Sequence, residues 1–151
     1  MDIKTAEQVN FTLSETTPSF HELLAIRDAQ GRQAVKHQDL DASPVEPVFS
    51  VCIRQTLDDT SPLVAVAQVI RESSQYLHIR DFIVRAEYQQ FGLAKIMMER
   101  IMLYFDTQSD NTYLGIKASG EEEQLCQQFG FNFAQCANLG PNMIKTSRVG
   151  G

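Results

Sequence analysis

Apolar residues along the chain fall into two alternating rhythms. After Thr17, Pro18 and Ser19, which offer helix-start chemistry, FHELLAIRDA carries Phe20, Leu23, Leu24 and Arg27 at helical spacing, and Gly31 is placed to end that helix. The preceding residues are mixed, with a short strand around Asn10 to Leu13. Segment 32–47 is polar, holds two prolines and reads as loop and irregular helix. VFSVCIRQ and LVAVAQVIRE, separated by the polar TLDDTSP, predict a hairpin, and YLHIRDFIV predicts a third strand long enough for a sheet centre.

The stretch EYQQFGLAKIMMER changes character halfway. From Leu93 onward Ile96, Met97, Ile101 and Tyr104 form one helical stripe, whereas Lys95 and Glu99 lie off it. A strand ending at Val84 therefore turns through a few residues and feeds into a helix N-terminus, which carries unsatisfied N–H groups and about half a unit of positive charge. Gly92 and Ala94 keep the surface low enough for a phosphate to reach the backbone; equally, Gly92 serves to relieve a tight strand-to-helix turn. Further on come a short strand around Tyr113 to Ile116, a helix in EEEQLCQQFGF ended by Gly130, a weak strand near Phe131 to Phe133, a Gly140-Pro141 break and a final NMIK. The whole is mixed α/β (α+β): a central sheet, largely antiparallel at the start, flanked by helices, with a strand-helix-strand crossover later.

The 151 residues, 43% of them hydrophobic, suit one domain over 1–151 with a single sizeable core. No run of about eighteen apolar residues exists, and the N-terminus lacks a secretory pattern, so the chain reads as soluble, cytoplasmic and without membrane contact. Cys52, Cys126 and Cys136 lack zinc or disulfide spacing, and His21, His37 and His78 form no ligand set; no metal is expected. The formal charge of -6 argues against nucleic acid as a partner. It favours a cationic ligand and requires that any anionic one be held by local geometry.

Gln89-Gln90-Phe91-Gly92-Leu93-Ala94 resembles the R/Q-x-x-G-x-G/A pyrophosphate motif of the GNAT superfamily of N-acetyltransferases. Val84-Arg85-Ala86-Glu87-Tyr88 is similar to the run usual before it, with Ala86 where proline is common. Cys126-Gln127-Gln128-Phe129-Gly130-Phe131 resembles the later helix ending in Y-x-x-x-G-F, and Gly140-Pro141-Asn142-Met143 a closing GPxM strand. The likeness preserves order from Val64 to Lys145.

The resemblance implies acetyl-coenzyme A as cosubstrate. Its pyrophosphate would lie on Gln89, Gln90, Phe91, Gly92, Leu93, Ala94 and Lys95, and its pantetheine along Ile83 and Val84, with the Val84 N–H polarising the thioester carbonyl. Phe91 departs from the frequent Lys or Arg, removing one charge contact. The acceptor would be a primary amine of a small molecule or peptide, attacking directly in a ternary complex. Asp81 is a candidate base or amine-binding carboxylate, with a salt-bridged or solvated aspartate as the alternative. His78 is a candidate proton relay or a structural group. Cys126 stands where the superfamily often has a general-acid tyrosine; its alternative is burial. Similar proteins commonly dimerise, so a homodimer is allowed.

Two rival readings remain. A non-catalytic acetyl-coenzyme A-binding module would keep the cradle without the chemistry, which Cys126 in the tyrosine position motivates. A dinucleotide fold is disfavoured, because G-x-G-x-x-G and G-x-x-x-x-G-K-[ST] are both absent and the early strands read as hairpins.

Overall fold

A computed structural model describes residues 2–4, 9–29, 46–57, 59–108, 111–116, 121–134 and 142–146. In chain order the elements are β1 (Asp2–Lys4), β2 (Asn10–Ser14), α1 (Phe20–Ala29), β3 (Phe49–Gln55), β4 (Leu63–Ser73) and β5 (Tyr76–Val84). A 3-10 helix (Ala86–Phe91) then leads into α2 (Leu93–Asp106), β6 (Tyr113–Ile116), α3 (Glu121–Gln128), β7 (Asn132–Ala134) and β8 (Asn142–Thr146). The predicted Gly31 helix stop, most of the 32–47 loop, Cys136, and the Gly140-Pro141 break lie outside the described residues.

The strands make one sheet in the order β1-β2-β3-β4-β5-β6-β8-β7. Every neighbouring pair is antiparallel except β5 and β6, which run parallel and are joined through α2. Such a pair needs a crossover, and the amphipathic stripe read from Leu93 onward supplies it. The buried residues of α2 are Leu93, Met97, Met98, Ile101 and Phe105, packed with Val51, Ile53, Ala67, Val69 and Leu114 in the larger apolar cluster, whereas Ile96 and Tyr104 of the expected stripe are only partly buried.

On the opposite face, α1 buries Leu23 and Ile26 against Cys52, Leu63, Val66 and Ile83. Alternation along the strands produces the two faces: Cys52 lies between Val51 and Ile53, and Val66 between Ala65 and Ala67, which belong to the other cluster. Strand β4 is buried on both sides from Leu63 to Ile70, as a central strand should be. The α1 stripe differs from the spacing expectation. Its buried residues are Leu23, Ile26 and Arg27, and Phe20 is 49% exposed, because Phe20 occupies the first helical turn beside the cap.

That cap is reciprocal. The Glu22 amide donates to Ser19 Oγ, and the Ser19 amide donates to Glu22 Oε1, both at 3.2 Å. Arg54 of β3 also donates to both Glu22 oxygens. These contacts, the Arg54 hydrogen bond foremost, hold the Glu22 carboxyl down from 4.5 to about 2, against a smaller opposing effect of burial. The folded value lies below the unfolded one, so this stabilisation is complete above about pH 4.5 and disappears as pH falls toward 2. Glu22→Gln is accordingly expected to lower the urea midpoint at neutral pH and to converge with the wild type near pH 2. A gap that stays constant across that range contradicts the assignment.

Among the described residues no helix is long and apolar enough to cross a membrane, and no group of three or more His, Cys, Asp or Glu side chains is placed to hold a metal.

Candidate active site

Strand β5 does not alternate evenly. Val66 pairs with Ile83 and Gln68 with Arg80, so Asp81 and Phe82 together oppose Ala67: a bulge. Asp81 takes φ 59°, a left-handed conformation that aspartate tolerates better than most residues. The bulge turns two successive polar side chains, Arg80 and Asp81, toward the α1 face, while Phe82 and Val84 join the apolar cluster on the other.

The α1 face therefore holds a buried polar group. Arg27, in the last turn of α1, donates from Nε to Asp81 Oδ1 at 2.6 Å, and its Nη2 stands 2.5 Å from the same oxygen as an ion pair. The Asp81 side chain is 2% exposed and ion-paired, not solvated. Arg80 donates from Nη2 to Oε1 of the buried Gln68 at 3.1 Å. Burial pulls the proton affinity of Arg80 down, and the Asp81 charge partly restores it. Ser50, also buried on this face, shares a hydrogen bond with Thr17 at 3.1 Å. The Cys52 thiol donates to the Thr16 carbonyl and is pushed up to about 11 by burial, so it is an inert packing group.

At the C-terminal end of β5 the chain is pinned before it turns. The Arg85 amide donates to Val64 O, and Arg85 Nε to Leu63 O, both at 2.9 Å. Gln89 Nε2 folds back onto Val84 O at 3.3 Å. Tyr88 donates to Gln55 Oε1 at 2.5 Å, and Phe11 packs against both Tyr88 and Phe91 with ring centroids 5.9 and 5.3 Å apart. Phe91, read as a missing charge contact, is thus an anchor of the turn.

Gly92 then takes φ 71° and opens α2 without a side-chain cap. The helix's own ladder begins where the Ile96 amide meets Gly92 O at 3.3 Å, which leaves the amides of residues 93–95 ahead of it. A Cβ built on Gly92 would meet nothing within 4 Å. The left-handed backbone at Gly92 favours glycine, as the turn-relief reading holds, and the residue also faces open space, as the cradle reading needs. Gln89, Gln90 and Lys95 are exposed around it, while the buried Leu93 fixes the first turn to the core. A rigid, uncapped helix start with a lysine on its first turn fits a polyphosphate. Among the described residues the register between β5 and β6 runs from Tyr76 to Ile79.

A family description, "Acetyltransferase (GNAT) domain", matches residues 55–138, from the end of β3 past α3 and β7. The chain belongs to the GNAT acetyltransferase family. No functionally curated protein matches it. A probable acetyltransferase from Staphylococcus aureus superposes on this GNAT chain with a TM-score of 0.70 at 21% identity, covering 86% of this chain and 96% of its own. An acetyltransferase from Streptococcus agalactiae does so with 0.65 at 13% identity, over 90% and 98%. A GNAT family acetyltransferase from Elizabethkingia anophelis, with acetyl-CoA bound, gives 0.59 at 12% identity, over 90% and 97%. At these identities the shared property is the fold.

Within this GNAT domain the expected site residues fall in separate places. Gln89, Gln90, Phe91, Gly92, Leu93, Ala94 and Lys95 form the turn and first helical turn beyond β5. Asp81 and Ile83 face α1, and His78, half-buried, pairs in register with Ile70 and Gly115. Cys126 is 1% exposed inside the larger apolar cluster, and its carbonyl accepts from the Phe129 and Phe131 amides at 3.0 Å. Arg27, Gln68 and Arg80 were not legible as site residues. The signal for them was the doublet Arg80-Asp81 inside an apolar strand, which breaks alternation and marks a bulge.

Proposed function

We propose that this GNAT protein is an acetyl-coenzyme A-dependent N-acetyltransferase that acetylates a primary amino group by direct attack in a ternary complex. The observation that carries the reading is the start of α2, without a side-chain cap, behind left-handed Gly92 and facing open space just past the end of β5. Acetyl-coenzyme A supplies an activated thioester carbon there. The amides of residues 93–95 and Lys95 bind the diphosphate, which lets a chain of net charge -6 hold a polyanion. The anchored turn keeps those amides fixed, so little ordering is needed on binding. The amine nitrogen forms the new C–N bond as the C–S bond breaks, and one proton passes from nitrogen to solvent and on to the departing thiolate. No cysteine nucleophile is called for, which agrees with the inert setting of Cys52.

The placement of Asp81 and Cys126 favours one second reading. With Asp81 engaged by Arg27 and Cys126 within apolar packing, a cosubstrate-binding module with weak or no transfer has a physical basis. Thiol release from acetyl-coenzyme A across a panel of primary amines separates the two. Amine-dependent release is expected; tight cosubstrate binding with no release for any amine would leave the binding module as the better account.

A further inference from the structure

Strand β2 reaches the cosubstrate turn from outside it. The 3-10 helix Ala86–Phe91 has no buried side chain of its own and no side-chain cap at its start. The internal hydrogen bonds of such a helix are poor in geometry, so its tilt is set by what its side chains touch. Arg85 fixes the upstream end to β4. The downstream end, which aims the amides of residues 93–95, is held by Tyr88 and Phe91.

Those two residues lie three apart, one 3-10 turn, and so face the same way. Their rings, with centroids 6.3 Å apart, close on a third, Phe11, which is 1% exposed in the larger apolar cluster. Phe11 is also the register partner of Gln55, the residue that accepts from the Tyr88 hydroxyl. Directly opposed residues of an antiparallel pair leave the same face of a sheet, so one rung of the β2–β3 ladder supplies both the ring and the acceptor. That rung is tied down in turn: the Gln55 amide donates to Pro62 O at 3.1 Å and the Thr56 amide to Asn10 O at 2.9 Å. A further contact from beyond the end of β2, Glu15 with Arg100 of α2 at 3.3 Å, lies at the surface and contributes little.

We infer that Phe11 and Gln55 are positioning residues for coenzyme A, so that β2, which precedes the matched residues 55–138, sets the affinity of the diphosphate site. The inference rests on the coenzyme A reading. Both residues act through Tyr88 and Phe91 instead of touching the cosubstrate. With an anchor lost, the turn takes up other tilts, and affinity falls with the share of chains that hold the competent one. The ring of Phe91 thus provides a fixed backbone in place of a charge contact.

Tyr88→Phe, Gln55→Leu, their double variant and Phe11→Leu are titrated calorimetrically with coenzyme A and by NMR with pantetheine, which lacks the diphosphate. Val69→Ala, a core variant in mid-strand on β4 paired with Phe49 and Ile79, is the control for lost stability. Each single variant at the turn is expected to weaken coenzyme A about 3- to 10-fold and to keep pantetheine within about twofold of the wild type. The double variant should lose no more than the larger of its singles, because both remove the same hydrogen bond. Val69→Ala should melt earlier with coenzyme A affinity kept. Unchanged coenzyme A affinity in Tyr88→Phe or in Phe11→Leu, an equal loss for pantetheine, or an equal loss in Val69→Ala overturns the inference and leaves the diphosphate site standing. A wild type that binds pantetheine as tightly as coenzyme A defeats the coenzyme A reading itself, and the inference with it.

Discussion

Asp81→Ala is expected to cost about 3–5 kcal/mol of folding stability, a large share of what a domain of this size has. Arg27 is itself buried, so removing the carboxylate strands a positive charge under α1 without its closest counter-charge. Alanine also fits the left-handed backbone at this position poorly, adding about 1–2 kcal/mol. Asp81→Asn keeps the shape and the tolerance for positive φ, and so isolates the charge; it should cost less than alanine. Urea melts of Arg27→Met, Asp81→Asn and the double variant should show coupling of about 1–3 kcal/mol, the double variant losing less than the sum of the singles. Were Asp81 a solvated base, the singles would be mild and the coupling near zero. The same series limits the catalytic interpretation. A loss of transfer in Asp81 variants means general-base loss only where the fold and coenzyme A affinity are shown to persist.

Gly92→Glu should reduce coenzyme A affinity about 100-fold while costing only about 1 kcal/mol of stability. The backbone at φ 71° penalises any side chain by about 1–2 kcal/mol. A carboxylate at the head of α2 returns about 0.3–1 kcal/mol by meeting the helix dipole, and the space around the new Cβ is open. The property that softens the folding cost is the one that removes binding, because the carboxylate competes for the amides the diphosphate would use. Thermal melts and calorimetric titration with coenzyme A read the two effects separately. Parallel losses of stability and affinity, or unchanged affinity, would show that Gly92 only shapes the turn.

Much of this architecture was legible from local pattern. The helix FHELLAIRDA and the strands YLHIRDFIV and around Tyr113 to Ile116 occur where apolar periodicity places them, since each buries a defined face. Strand β1 was not legible, because three residues carry too little pattern and depend on β2 for their hydrogen bonds. The turn before Gly92 proved to be a 3-10 helix, held by Tyr88 and Phe91 through partners distant in sequence, Phe11 and Gln55. The left-handed turn at Gly92 could be read because a glycine at a strand-to-helix junction is a local signal. The Arg27–Asp81–Arg80–Gln68 group could not, because it assembles from α1, β4 and a bulge in β5, and its members acquire their meaning only when brought together.

The most direct measurement is an amide-resolved NMR titration with coenzyme A, repeated with pantetheine, which lacks the diphosphate. If residues 93–95 hold the diphosphate, the amides of Gly92, Leu93, Ala94, Lys95 and Ile96 shift most strongly with coenzyme A and scarcely move with pantetheine. Shifts concentrated elsewhere in the domain, or the same response of these amides to both ligands, would contradict the account.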